Sequence, residues 1–117
     1  IGTTFMYIDE GVDTGEIIHQ IRADINIQDN IHQIGNRLIR NSFIEVVRLI
    51  RNFQKLERVE QISMGNYKER VYRKKDFTED SLERAYENIS NGIVAEFLAN
   101  KSEALEKYPI ITNPGLK

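Results

Sequence analysis

The chain has 117 residues, with 16 lysines and arginines against 18 aspartates and glutamates, and a formal net charge of -2. This length fits a single domain or a piece of one. The near balance of charge disfavours a general nucleic-acid binder, which carries an excess of positive charge. Because the sequence has no cysteine and only two histidines, it excludes disulfides and thiolate metal sites, and no metal centre is predicted. Its apolar runs are too short to cross a membrane.

Two extended segments open the chain. Residues 2–8 are rich in β-branched and aromatic side chains and predict a strand. Residues 9–15 form a cluster of aspartates and glycines that is typical of a turn. Residues 16–26 predict a second extended segment. Together they predict a β-hairpin with an unusually long loop, and such loops are often functional.

A long helix is predicted next, over about residues 29–54, with Asp29 or Asn26 as its N-cap. Apolar side chains recur along it at steps of three and four. Three further apolar residues widen this stripe: Ile39, Phe43 and Val47. The width predicts that the helix is buried against a sheet on a broad side, with its arginines facing solvent.

The rest of the chain predicts a mixed segment that ends in helices. Residues 67–72 are compatible with a strand. Thr78, followed by two acidic residues, predicts an N-cap, and the helix after it stops at Asn91-Gly92. A further helix is predicted from Ile93 to the proline at position 109. The tail after that proline is expected to be loop-like.

The loop Asp9-Glu-Gly-Val-Asp-Thr-Gly15 is the most informative stretch of the sequence. It can present carboxylates and backbone amides to a ligand. Spacing alone leaves two interpretations, a ligand-binding loop or an ordinary hairpin turn, because aspartate and glycine are common in turns. Asp9 and Asp13 are also compatible with binding a cation, although the EF-hand spacing with its closing glutamate is absent.

Residues 1–20 resemble a motif of the folate-dependent formyltransferase family, close to G-x-T-(x)4-D-x-G-x-D-T-G-x-I-I. Every fixed position of the motif is occupied here: Gly2, Thr4, Asp9, Gly11, Asp13, Thr14, Gly15, Ile17 and Ile18. The resemblance implies an α/β fold class, built as a β-hairpin, a long helix and a mixed segment with two or more helices. It implies that residues 1–54 are the carboxy-terminal half of a catalytic domain and that residues 55–117 are a linker and helical segment.

The resemblance also implies an activity, the transfer of a formyl group from 10-formyltetrahydrofolate to a primary amine. Asp13 matches the catalytic aspartate of the family. The neighbouring loop residues match part of the pterin-binding wall: Ile8, Asp9, Glu10, Gly11 and Val12. Asp13-Thr14-Gly15 is typical of the members that act on methionyl-tRNA or on an amino-sugar nucleotide, rather than of the purine-pathway members. A cytoplasmic location without a membrane partner is implied as well.

The sequence departs from the family in one respect, because it contains no Asn-x-His-Pro motif. Asn30-Ile31-His32 has Gln33 in place of the proline, and we interpret Asn30 and His32 as a surface helix start. We interpret His19 as an ordinary strand residue. The expectation is a fragment that is inactive alone, binds the folate weakly, and has an exposed sheet edge that favours homodimers or other self-association.

The sequence is also compatible with a second class of protein, a non-catalytic α+β interaction module, in which Asp13 is only a turn residue.

A basic run with interleaved tyrosines has more than one interpretation. It is compatible with binding tRNA phosphates or a sugar-nucleotide diphosphate, and equally with a solvated surface. Its residues are Tyr67, Lys68, Arg70, Tyr72, Arg73, Lys74 and Lys75.

Overall fold

The computed structural model describes residues 1–61 and 70–117. Within these residues the elements are β1 (Gly2–Met6), β2 (Ile17–Arg22), α1 (Ile31–Arg51), α2 (Glu79–Ser90), α3 (Ile93–Ala99) and α4 (Lys101–Lys107). Short 3-10 turns occupy Phe53–Lys55, Lys74–Asp76 and Pro114–Leu116. The predicted α/β class, with a hairpin, a long helix and further helices, is confirmed. Of the strand considered at residues 67–72, the part up to residue 69 lies outside the described residues, and residues 70–72 are not in a strand.

The two strands form an antiparallel hairpin in which Gly2 lies opposite Arg22 and Phe5 lies opposite His19. Both strands are shorter than predicted. The last hydrogen bond before the loop joins the backbone N–H of Tyr7 to the carbonyl of the residue before β2, at 2.9 Å. Beyond this point the aspartates and glycines of the loop replace the ladder, because their side chains and backbone favour turns.

The two edges of the hairpin differ. On the outer edge of β2, Ile17 exchanges backbone hydrogen bonds of 2.7 and 3.0 Å with Val59, and Gln20 donates one of 2.8 Å to Ile111. The outer edge of β1 has no strand beside it among residues 1–61 and 70–117. An unpaired edge of this kind is a template for pairing with further chain.

The N-cap of α1 is Asn30, so the prediction of Asp29 or Asn26 is wrong. Asn30 accepts from the backbone N–H of Gln33 at 2.9 Å, and the Gln33 side chain accepts from the Asn30 N–H at 2.9 Å, which is a capping box. Asp29 is buried instead and accepts two hydrogen bonds from Arg37, at 2.7 and 2.8 Å. Those bonds, with one from the backbone N–H of Asn26, lower the pKa of Asp29 to about 2.

One side of α1 packs on the hairpin. Ile34, Leu38 and Leu49 are buried, and the Oγ atom of Ser42 lies 2.8 Å from the Oγ1 atom of Thr3 on β1. The helix ends at Arg51 rather than at residue 54, and a 3-10 turn follows it.

The prediction that the widened stripe of α1 is buried is wrong. Ile39, Phe43 and Val47 are 58%, 70% and 48% exposed. The reason is geometric, since a two-stranded sheet is wide enough to cover only one side of a helix that carries apolar residues over a broad arc. The second apolar side of α1 is therefore uncovered by the part of the chain that the structure describes.

The predicted helices of the carboxy-terminal part are confirmed, with one break. Thr78 caps α2 by accepting from the backbone N–H of Ser81 at 3.2 Å, and Gly92 ends it at a φ of 86°. The helix predicted from Ile93 is divided at Asn100 into α3 and α4. No helix in the described ranges is both long enough and apolar enough to cross a membrane. The division of the chain at residue 54 stays a prediction.

The tail is irregular, as predicted, apart from the 3-10 turn at Pro114–Leu116. It is held in place by Asn113, which is fully buried and joins the tail to the hairpin. Its side-chain amide donates to the carbonyls of Ile18 and Glu57, at 2.7 and 2.8 Å. Its side-chain oxygen accepts from the backbone N–H groups of Glu57 and Gly115, at 3.1 and 2.9 Å. The tail, β2 and the chain that follows α1 therefore share one polar junction.

The junction continues to His19, which is 5% exposed. Nδ1 of the ring accepts from the backbone N–H of Asn113 at 3.1 Å, and Nε2 lies 3.2 Å from Glu45 Oε1. These partners fit a neutral ring with its proton on Nε2. Burial lowers the pKa of His19, the Glu45 carboxylate opposes this effect, and the Arg48 guanidinium adds to it.

We expect the free energy of unfolding to fall as the pH drops below about 6.5. The unfolded chain then takes up a proton at His19, whose ordinary pKa is 6.5, while the folded chain resists it. The loss levels off below the folded pKa of His19. Urea unfolding between pH 8 and pH 5 measures the effect. The variant His19→Gln should lose this pH dependence, and His32→Gln, which alters an exposed histidine, should keep it. If the free energy of unfolding of His19→Gln still falls between pH 8 and pH 5 as in the wild type, His19 is not the source of the pH dependence.

Candidate functional site

The candidate site is the loop that joins β1 to β2, and Asp9 shapes its first half. Asp9 Oδ1 accepts from the backbone N–H of Gly11 at 2.9 Å and from the hydroxyl of Thr14 at 2.6 Å. Such local bonds from an aspartate side chain are typical of Asx turns. One carboxylate oxygen of Asp9 therefore accepts two hydrogen bonds from within the loop, and these bonds help to set the conformation of the loop.

Asp13 stands out in the backbone because its φ is 55°. Few non-glycine residues adopt this left-handed conformation, although aspartate and asparagine tolerate it better than most. The Asp13 side chain is exposed. A non-glycine residue held in a sparsely populated conformation by its surroundings is common at functional sites. The observation therefore supports a functional interpretation of Asp13.

Gly15 closes the loop. It is buried, and a Cβ atom at this position would collide with the carbonyl oxygen of Tyr7. Only glycine allows the two ends of the loop to approach so closely. This gives the last glycine of the sequence motif an internal structural reason, namely that it fixes where the strand after the loop begins.

The loop encloses a shallow concavity of about 310 Å³. Five of the six residues predicted for the site line it: Ile8, Asp9, Gly11, Val12 and Asp13. Glu10, the sixth, does not belong to the lining. The apolar side chains at its mouth, at positions 8 and 12, are 97% and 85% exposed.

The structure adds residues that the sequence did not reveal, on the segment that follows α1. The Arg58 guanidinium lies 4.0 Å from the ring centroid of Tyr7 and 2.8 Å from a carboxylate oxygen of Glu16. The Gln61 side chain donates to the carbonyls of Asp13 and Gly15, at 2.8 and 2.7 Å. Arg58 therefore contacts the two residues that flank the loop, and Gln61 contacts Asp13 and Gly15 within it.

The other polar candidates have structural partners of their own. Asn30 caps α1, and His32 Nε2 lies 2.7 Å from the Tyr86 hydroxyl. Asn30 and His32 are exposed at the helix start, and His19 is a strand residue, as predicted. Among the described residues, no group of three or more histidines, aspartates and glutamates is placed to hold a metal ion.

The basic run is described only in part. Tyr67 and Lys68 lie outside the described residues. Its other members are exposed: Arg70, Tyr72, Arg73, Lys74 and Lys75. This exposure agrees with both interpretations of the run, and a role in binding phosphates stays a prediction.

The first part of the chain is similar to a known protein family. Residues 1–50 match a family model described as formyl transferase. A methionyl-tRNA formyltransferase from Synechococcus sp. (strain WH7803) is 44% identical over 41 residues. That alignment covers 35% of this chain and 12% of the relative, so this chain matches only a small part of its length. No solved structure matches the chain significantly. The segment that holds the hairpin, its loop and most of α1, residues 1–50, is therefore similar to the formyl transferase family.

Proposed function

We propose that this chain supplies the Asp13 loop of an enzyme that transfers a formyl group from 10-formyltetrahydrofolate to a primary amine. The observation that carries the proposal is the family match of residues 1–50, combined with an exposed Asp13 that the loop holds at the edge of a concavity. The similarity to a methionyl-tRNA formyltransferase favours methionyl-tRNA over an amino-sugar nucleotide as the acceptor.

The chemistry gives Asp13 a defined role. The amine nitrogen attacks the formyl carbon, which creates a carbon–nitrogen bond, an oxyanion and a cationic nitrogen. The Asp13 carboxylate stabilises the cation and accepts its proton, directly or through a water molecule. The bond from the formyl carbon to N10 of the folate then breaks, and N10 takes up a proton. The backbone of residues 8–12 provides one wall for the pterin, with the side chains of Ile8 and Val12 against its flat face.

The outer edge of β1 and the uncovered side of α1 support this proposal over an interaction module. A self-contained module would have a closed core, whereas β1 lacks a strand on its outer edge within the described residues. The uncovered apolar side of α1, with Phe43 70% exposed, belongs to the same helix that packs on β1. Strands added beside β1 would be covered by this side of the helix. We propose that a region carrying the Asn-x-His-Pro groups completes the domain there.

The test uses two lengths of the protein. The purified chain of 117 residues is expected to show no turnover of 10-formyltetrahydrofolate with methionyl-tRNA or with an amino-sugar nucleotide, because it lacks the asparagine and histidine groups. The full protein as encoded is expected to formylate methionyl-tRNA. Turnover by the 117-residue chain would overturn the need for those groups. A full protein that is folded but inactive with both acceptors would overturn the proposed function.

A further inference from the structure

We propose that Gln61 is a positioning residue for Asp13, an inference that rests on the proposed function. The Gln61 amide has two N–H donors. Both are accounted for by the loop, through bonds of 2.8 Å to the carbonyl of Asp13 and 2.7 Å to the carbonyl of Gly15. Gln61 lies beyond the residues 1–50 that match the family model. It therefore acts on the loop from outside the matched segment.

The position of Gln61 is fixed by the chain on either side of the loop. Two residues earlier, Val59 exchanges backbone hydrogen bonds with Ile17, the first residue of β2. Arg58 contacts Tyr7 and Glu16, the two residues that flank the loop. The segment is thus aligned before Gln61 reaches the loop.

The two hydrogen bonds from Gln61 restrain the backbone at and just after the residue with the unusual conformation. Asp13 has its φ at 55°, and its own carbonyl is one of the two acceptors. The second acceptor is the carbonyl of Gly15. The residue between the two acceptors, Thr14, is held separately, because its hydroxyl donates to the Asp9 carboxylate. Loss of the Gln61 donors frees both carbonyls and removes the restraint on the Asp13 peptide. A rotation of that peptide would redirect the carboxylate, which is the group that the reaction requires at a fixed place.

Three variants separate hydrogen bonding from shape. Gln61→Met has a side chain of similar length without a hydrogen-bond donor, whereas Gln61→Lys keeps donors at a similar reach. Gln54→Met is the control, because it makes the same glutamine-to-methionine change at an exposed position of the preceding 3-10 turn. In the full protein we expect Gln61→Met to lower kcat by about 10²-fold, the scale typical of a misplaced catalytic group, with a small change in KM. Gln61→Lys should recover most of the loss, and Gln54→Met should match the wild type.

The second readout does not depend on activity. In the 117-residue chain, the backbone ¹³C and amide NMR shifts of Asp13, Thr14 and Gly15 should change in Gln61→Met and return towards wild type in Gln61→Lys. The inference is overturned if Gln61→Met leaves both kcat and these shifts unchanged. It is also overturned if the shifts change throughout β2 and α1 as well, which indicates general loss of structure. If the loop shifts respond but Asp13→Asn keeps full activity, the proposed function fails while the contact of Gln61 with the loop stands.

Discussion

Replacing Asp13 by asparagine is expected to lower kcat of the full protein by about 10²–10⁴-fold, the range typical of losing a general acid or base. Asparagine keeps the size of the side chain and tolerates the left-handed backbone that Asp13 adopts. The loop should therefore keep its shape, and KM for the formyl donor should change little. The rate falls because a neutral amide neither balances the cationic nitrogen nor accepts its proton. Steady-state kinetics with methionyl-tRNA measures both parameters.

A matched control uses another exposed aspartate of the hairpin region. Asp24→Asn removes the same charge just after β2, and we expect activity close to that of the wild type. The loop shifts of the 117-residue chain should also be nearly unchanged in Asp13→Asn outside residue 13 itself. Retention of more than about a tenth of the wild-type kcat would place the loss below the range expected for such a group. Asp13 would then be a turn residue, as in the interaction-module hypothesis.

The candidate loop could be predicted from the sequence because its structure is set locally. Asp9 bonds to partners two and five residues away, and Gly15 meets the residue that precedes the loop. Residue types alone predict turns of this kind. The same holds for Thr78, whose capping partner is three residues away. The cap of α1 lies one position after Asp29, because Asp29 and Asn30 are both good cap residues and Asp29 is bonded instead to Arg37 and to the backbone of Asn26.

The residues that the sequence did not reveal act over long distances along the chain. Gln61 reaches Gly15 across 46 positions, and Asn113 reaches Ile18 across 95. Neither lies in a periodic pattern, because each is a single polar residue in an irregular segment, and no local rule identifies its partner. The sequence shows correctly that the apolar stripe on α1 is broad. It does not show whether the whole stripe is buried, since the composition of a helix does not reveal how many strands lie beneath it.

Replacing Asn113 by alanine is expected to lower the free energy of unfolding by about 2–4 kcal/mol. The Asn113 side chain makes four hydrogen bonds, and its removal leaves two carbonyls and two N–H groups without their partners. An unsatisfied buried group costs roughly 1–3 kcal/mol, and water entering these partly buried sites reduces the sum. Urea unfolding measures the change. Asn36→Ala, at an exposed position of α1, is the control and should stay within about 0.5 kcal/mol of the wild type.

The same variant tests whether the tail supports the candidate site. Asn113 holds both backbone groups of Glu57, which begins the segment that carries Arg58 and Gln61. Loosening Glu57 should reach the loop through Gln61, so the amide shifts of Gly15 should move in Asn113→Ala, in the same direction as in Gln61→Met. Hydrogen exchange should also speed up at the N–H of Gln20, which donates to the tail. Faster exchange at Gln20 with an unchanged Gly15 would mean that the tail stabilises β2 alone. Movement at both positions would mean that chain beyond residue 50 helps to hold Asp13 in place.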